Sequence, residues 1–214
     1  MSATGPSRAM SRFDLVVMVA SLGGLSAISA VLTELPAAFP VSLLVVQHGR
    51  RSNTPDRLSC LLQRSTTLPI RTAHPGMRVD APGITVIPGG TAATIDEMRQ
   101  LSIIDDDGLH GGDALLSSAA AALGPAVIGV VLTGMLRDGT TGVRAVKRHG
   151  GRVLAQDPVT ARAAGMPSSA IATGCVDFVL PLHRIAAALV ALTMAPGAAE
   201  LFTVPTPPWA SLHA

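Results

Sequence analysis

The chain has 214 residues, 48% of them hydrophobic and 14% charged, with a formal net charge of +2, which is enough for one domain with a substantial core. Its basic residues are scattered and its aromatics scarce at 2%, which argues against a nucleic-acid partner despite a pI near 8.9. Two cysteines, Cys60 and Cys175, are too few for a disulfide scaffold. No stretch supplies the roughly 20 unbroken apolar residues of a membrane helix, and no small-residue cleavage signature marks a signal peptide, so the expectation is a cytoplasmic protein without membrane insertion.

After an opening segment expected to be flexible, residues 1–13, Asp14 to Ala20 is a continuous apolar run behind one acid. That is the pattern of a strand covered on both faces. Leu25, Ile28, Leu32 and Leu35 then recur at helical spacing until Pro36. Val41 to Val46 reads as a second buried strand ending at Gln47-His48, and Thr54 before Pro55 as the cap of a helix through Leu58, Leu61 and Leu62. Pro69 to Thr72 is a short strand. From Gly76 to Asp105 the character changes. Val79, Ile84 to Ile87, Ala93 to Ile95 and Leu101 to Ile104 are short apolar pieces between Pro-Gly, Gly-Gly and an acidic corner, which predicts an antiparallel insertion. A helix from about Asp113 to Ala122 precedes a strand at Val127 to Leu132, a helix at Thr141 to His149 and a strand at Arg152 to Ala155. Helices around Ala161 and from Ser168 to Ala172 lead to a strand at Val176 to Leu180 and a last helix from His183 to about Leu192. The domain so read spans residues 14–194. Residues 195–214, with four prolines, read as a poorly ordered Pro/Ala-rich tail.

Strands alternating with helices predict an α/β fold: a three-layer, doubly wound, mostly parallel sheet with an antiparallel hairpin insertion. In such folds function gathers at the carboxyl ends of the strands. Ser21, Gln47-His48, Thr133 to Asp138 and Gln156-Asp157 all fall there.

The loop SLGG, Ser21 to Gly24, admits three readings. A phosphate cradle asks for G-x-G-x-x-G or for G-x-x-x-x-G-K-[ST], and the loop has neither the first glycine nor the lysine. A nucleophile turn asks for a hydroxyl lifted from the sheet edge, with glycines beyond it, a base and an orienting acid. Ser21 with His48 and Asp138, each at a strand end, meets that demand. In the third reading Ser21 only caps the following helix. The residues alone leave the last two open.

The chain resembles the catalytic domain of the chemotaxis protein-glutamate methylesterases over about Asp14 to Leu192. The resemblance rests on VASLGG (Val19 to Gly24), LLVVQH (Leu43 to His48), GITVIPGG (Gly83 to Gly90), GVVLTGMLRDGTTGV (Gly129 to Val143) and VLAQDPVTARAAGMPSSAI (Val153 to Ile171), in matching order and spacing. It implies Ser21 as nucleophile, His48 as base and Asp138 as acid, with the Met135 backbone N–H joining that of Leu22 as oxyanion donors. It also implies Gly23, Gly24, Arg137, Gln156 and Met166 as residues of the substrate cleft. Neither a metal nor another cofactor is called for. The implied activity is hydrolysis of methyl esters on receptor glutamates, often with deamidation of receptor glutamines, and the implied partner is a methylated chemoreceptor or receptor-like protein.

The chain departs from the family pattern at three places. Leu22 stands where S-T-G-G has threonine, and Leu136 where G-M-G-x-D-G has its second glycine. His110-Gly111-Gly112-Asp113 replaces the usual H-x-P-S-x-D. With about thirteen residues before the first strand, the receiver domain common in the family is expected to be absent, and a separate response-regulator protein is the expected regulator. Two rivals stand beside the main reading: a noncatalytic or weakly active binding module of the same fold, and an esterase acting on another substrate.

Overall fold

The computed structural model of the chain describes residues 13–49, 57–106, 110–195 and 207–211. In chain order the elements are β1 (Leu15–Ala20), α1 (Gly24–Thr33), β2 (Ser42–Gln47), α2 (Arg57–Leu62), β3 (Ile70–Thr72), β4 (Gly83–Val86), β5 (Thr91–Ile95) and β6 (Leu101–Asp105). They continue with α3 (Gly111–Leu123), β7 (Val127–Val131), α4 (Thr140–Arg148), β8 (Arg152–Gln156), α5 (Gly165–Ala172), β9 (Phe178–Leu180) and α6 (Leu182–Met194). Among the described residues the main sheet has seven strands in the order β3-β4-β2-β1-β7-β8-β9, every pair parallel. The fold expectation of a doubly wound parallel sheet with a separate antiparallel hairpin holds.

β1 explains the layering. Val16, Met18 and Ala20 point into one core with Ile28 and Leu32 of α1 and Ile185 and Leu189 of α6. Leu15, Val17 and Val19 point into the other, with Leu115 and Leu116 of α3, Val146 of α4 and Met166 of α5. A strand so buried on both sides has to be apolar at every position, which is why the run lacks alternation. From β1 the chain winds outward through β2, then crosses back to β7 on the other side, so the switch of direction opens a crevice between the carboxyl ends of β1 and β7.

Three expectations are corrected. Ile84 to Ile87 is not part of an antiparallel insertion: β4 lies in the main sheet, parallel to β2 and to β3 (Ser42↔Gly83 and Ile70↔Ile84). All four β4 residues are buried, as an interior parallel strand requires, and only β5 and β6 form the hairpin. Val79 lies beside an isolated bridge, Arg78 to Gln100, rather than in a strand. Around Ala161 there is one 3₁₀ turn, Pro158–Thr160, because the Asp157 carboxylate accepts from Val159 N (2.9 Å) and the Gln156 amide donates to Thr160 O (2.9 Å). The Thr54-Pro55 cap and the segment 1–12 lie outside the described residues, as do 196–206 and 212–214 of the tail. The described piece of the tail is docked rather than loose: Trp209 Nε1 donates to Thr173 O at 2.7 Å.

Candidate active site

Ser21 is the first residue past β1 and His48 the first past β2, one step beyond the paired Ala20 and Gln47. Ser21 N donates to Thr133 O (2.9 Å) across the crevice, and His48 N donates to Ala20 O (2.9 Å). The loop between β1 and α1 is tight: Gly24 N donates to Ser21 O (2.8 Å), and Gly23 turns the chain at φ +82°, in the left-handed region that favours glycine. Gly23 is the N-cap of α1, without a side-chain cap. The Ser21 hydroxyl therefore does not cap the helix, and it makes no hydrogen bond among the described residues.

Asp138 is buried, with its carboxylate held from two sides. Gly112 N donates to Oδ2 (2.8 Å) and Asp113 N to Oδ1 (2.9 Å), so the first turn of α3 grips the anion with two amides. A Cβ on Gly112 would run into Asp138 Oδ2 and Val19 Cγ1, so this approach needs glycine. His48 Nε2 lies in ion-pair contact with Oδ2, off the axis of a regular ring hydrogen bond, and its side chain is 11% exposed. Burial pushes the Asp138 carboxyl up, but the His48 contact and the Asp113 and Gly112 amides outweigh it and hold it below the ordinary carboxylate value. The contact uses Nε2 and leaves Nδ1 clear of that carboxylate, and no Ser21–His48 hydrogen bond is formed among the described residues. Such bonds commonly tighten only with substrate present.

Asp113 ties this grip to α4, accepting from Gly142 N at 2.7 Å. Its pKa is raised, by burial first and then by the neighbouring Asp138 carboxylate. The sign follows: the native state holds this proton more tightly than the unfolded chain, so the cost of ionising Asp113 is absent in acid and grows as pH rises through the unfolded value to the raised native one. Asp113→Asn keeps an acceptor for Gly142 N and loses that charge. Its stability relative to the parent is expected to climb with pH across this window, and urea unfolding at a series of pH values checks it; a difference independent of pH would contradict the account.

The backbone N–H groups of Leu22 and Met135 have no acceptor among the described residues and flank Ser21 from the β1 and β7 loops. They are available to an oxyanion. Leu136 sits at φ +65° and is 65% exposed, so leucine stands at a left-handed position where the family pattern has glycine. Leu136→Gly relieves about 1–2 kcal/mol of that conformation against about 0.5–1 kcal/mol of added chain entropy. A higher thermal midpoint is expected, and a clear fall would show that the loop is built around leucine.

The remaining cleft residues divide. Arg137 is exposed beside Asp138, without a partner for its guanidinium among the described residues, and Gly23 is half-buried at the loop surface. Gly24, Gln156 and Met166 are buried and do not line the cleft. Gly24 closes on Ala20 and Gln47, and Met166 N donates to Gly134 O (2.9 Å) from behind the β7 loop. Gln156 is spent internally, its Oε1 accepting from Thr133 N (2.9 Å) while its Nε2 donates to Thr160 O. Thr133, read from the sequence only as the first residue of a polar strand end, has a linking role that the sequence reading did not assign. It is 1% exposed; its Oγ1 donates to Leu22 O and accepts from Ala163 N, both at 2.9 Å, so one hydroxyl joins the Ser21 loop to the segment before α5. Its signal was a lone threonine directly after an apolar strand. His110, Asp113 and Asp138 hold one possible metal-ligand atom each within 4.8 Å of one another, but both Asp138 oxygens already accept backbone amides.

Residues 16–189 match the family model described as CheB methylesterase. The chain is 37% identical over 182 residues to the protein-glutamate methylesterase FrzG of Myxococcus xanthus, covering 83% of this chain and 54% of that protein. It is 38% identical over 188 residues to protein-glutamate methylesterase/protein-glutamine glutaminase 3 of Geobacter sulfurreducens, covering 83% and 50%. The chain thus spans about half the length of the curated relatives it matches. Among solved structures, the CheB methylesterase catalytic domain of Thermotoga maritima superposes with a TM-score of 0.76 at 32% identity, covering 85% of this chain and 99% of that one. Seven parallel strands in a shared fold, the Ser21 loop at the switch point and a match over most of the length lead to one assignment: the chain belongs to the CheB methylesterase family.

Proposed function

We propose that this chain is a serine hydrolase that removes methyl esters from glutamate side chains of a chemoreceptor or receptor-like protein. The observation that carries the reading is the contact of His48 Nε2 with the buried Asp138 carboxylate, at the strand end next to the uncapped Ser21. Ser21 Oγ attacks the ester carbonyl while its proton passes to His48 Nδ1. Asp138, fixed by the α3 amides, keeps the other ring nitrogen protonated and balances the imidazolium. The Leu22 and Met135 amides receive the charge on the carbonyl oxygen. Methanol leaves with the proton returned by His48, and water then hydrolyses the acyl-enzyme to serine and a glutamate carboxylate. Arg137 is proposed to contact a substrate carboxylate.

The same steps with ammonia as the leaving group give deamidation of glutamine, an activity carried in the name of the Geobacter relative. No helix among the described residues is long and apolar enough to cross a membrane, and the cytoplasm is the proposed location. The test is methanol release from a methyl-esterified receptor domain, with the modified side chains followed by mass spectrometry. Methanol matched by new carboxylates is expected; intact esters after prolonged incubation would overturn the reading.

A further inference from the structure

We propose that Arg162 is a specificity-determining residue, binding an acidic side chain of the substrate on the Gly23 side of Ser21. Three observations converge on it. Its stem lies along the nucleophile loop: a Cβ on Gly23 would stand 2.9 Å from Arg162 Cβ and 3.0 Å from its Cδ. Its backbone is held in register with that loop, because Ala163 N donates to the Thr133 hydroxyl that itself donates to Leu22 O, and Gly134 N donates to Ala163 O (2.9 Å). Its guanidinium is exposed and makes neither an ion pair nor a hydrogen bond among the described residues.

An arginine stays charged at any working pH and carries five donors in a planar fork suited to a carboxylate. Asp157, the nearest acid in sequence, is occupied in its own turn with Val159 N. The unpaired charge beside the reacting centre therefore belongs to something that arrives with the substrate. In the loop after β7, Arg137 is likewise exposed and makes no ion pair or side-chain hydrogen bond among the described residues. The mouth is thus shaped for a glutamyl ester set among acidic side chains. Residues one helical turn apart lie about 5–6 Å from each other at Cβ, a spacing that lets one side chain enter the crevice while its neighbour meets Arg162.

The inference rests on the proposed ester hydrolysis and has a consequence for it. Each turnover converts a neutral ester into a carboxylate, so one hydrolysed site becomes the recognition element for its neighbour. Multiply esterified substrate is then cleared faster once the first ester has gone.

The experiment uses the full chain and helical peptides that hold one glutamyl methyl ester and, one turn before or after it, either Glu or Gln. Wild type is expected to favour a Glu-bearing peptide by about 3- to 10-fold in kcat/KM, carried mainly by KM and shrinking with added salt. Arg162→Ala should bring that ratio close to one, Arg162→Lys should keep part of it, and Arg162→Glu should invert it. Equal use of Glu and Gln peptides by wild type, or a ratio untouched by Arg162→Ala and Arg162→Glu, would overturn the role of Arg162 alone. Absence of methanol from every peptide would overturn the hydrolysis on which it rests.

Discussion

Ser21→Ala is expected to lower methanol release by about 10⁴- to 10⁶-fold, by analogy with serine removal in other hydrolases, while the protein remains folded. The structural cost is small because the loop does not depend on the hydroxyl. The turn is closed by backbone bonds, Gly24 N to Ser21 O and Ser21 N to Thr133 O, and α1 is capped by Gly23 without any side chain. What is lost is the oxygen that, in the proposed mechanism, carries the acyl group. Methanol assays alongside circular dichroism separate the two, and near-normal turnover by the folded variant would remove Ser21 from the chemistry.

Asp138→Asn is expected to reduce kcat by about 10²- to 10⁴-fold with little change in substrate binding. The reason lies in the donor count around the carboxylate. Both oxygens of Asp138 accept amides, and Oδ2 also meets His48 Nε2. An asparagine has one oxygen to offer. If its NH₂ takes the Oδ1 position, it confronts Asp113 N as a second donor in a buried site; if it takes the Oδ2 position, it confronts Gly112 N, donates to His48 Nε2 and forces the ring proton onto Nδ1. That tautomer cannot take the proton of Ser21. Steady-state kinetics decide this, and an unchanged kcat would exclude Asp138 from the mechanism.

The parallel core and the strand-end position of the site were legible because both follow from local pattern. Asp14 to Ala20 reads as a doubly covered strand without any knowledge of its neighbours, and a polar residue directly after such a run falls at the sheet edge. Ser21 and His48 were read as candidates in this way. The placement of β4 was not, because a four-residue apolar strand carries no mark of whether its partner runs parallel or antiparallel. Gly24, Gln156 and Met166 were expected in the cleft and turn out to support it from behind: motif membership records that a residue matters, not which way it faces. Arg162, and the linking role of Thr133, escaped for a related reason. Their significance comes from long-range contacts, Thr133 with Leu22 across 111 residues of chain and Arg162 with Gly23, which no spacing displays. Leu136 was visible as a departure from a glycine, and its φ of +65° gives that departure a physical cost.

The most direct measurement is peptide mapping of the enzyme after partial reaction with a serine-directed fluorophosphonate, with methanol release from a methyl-esterified receptor domain assayed on the same samples. The account predicts one adduct, on Ser21, and a loss of methanol release in proportion to its occupancy. Methanol release that persists when Ser21 is fully labelled, or inactivation that tracks an adduct on another residue, would contradict it.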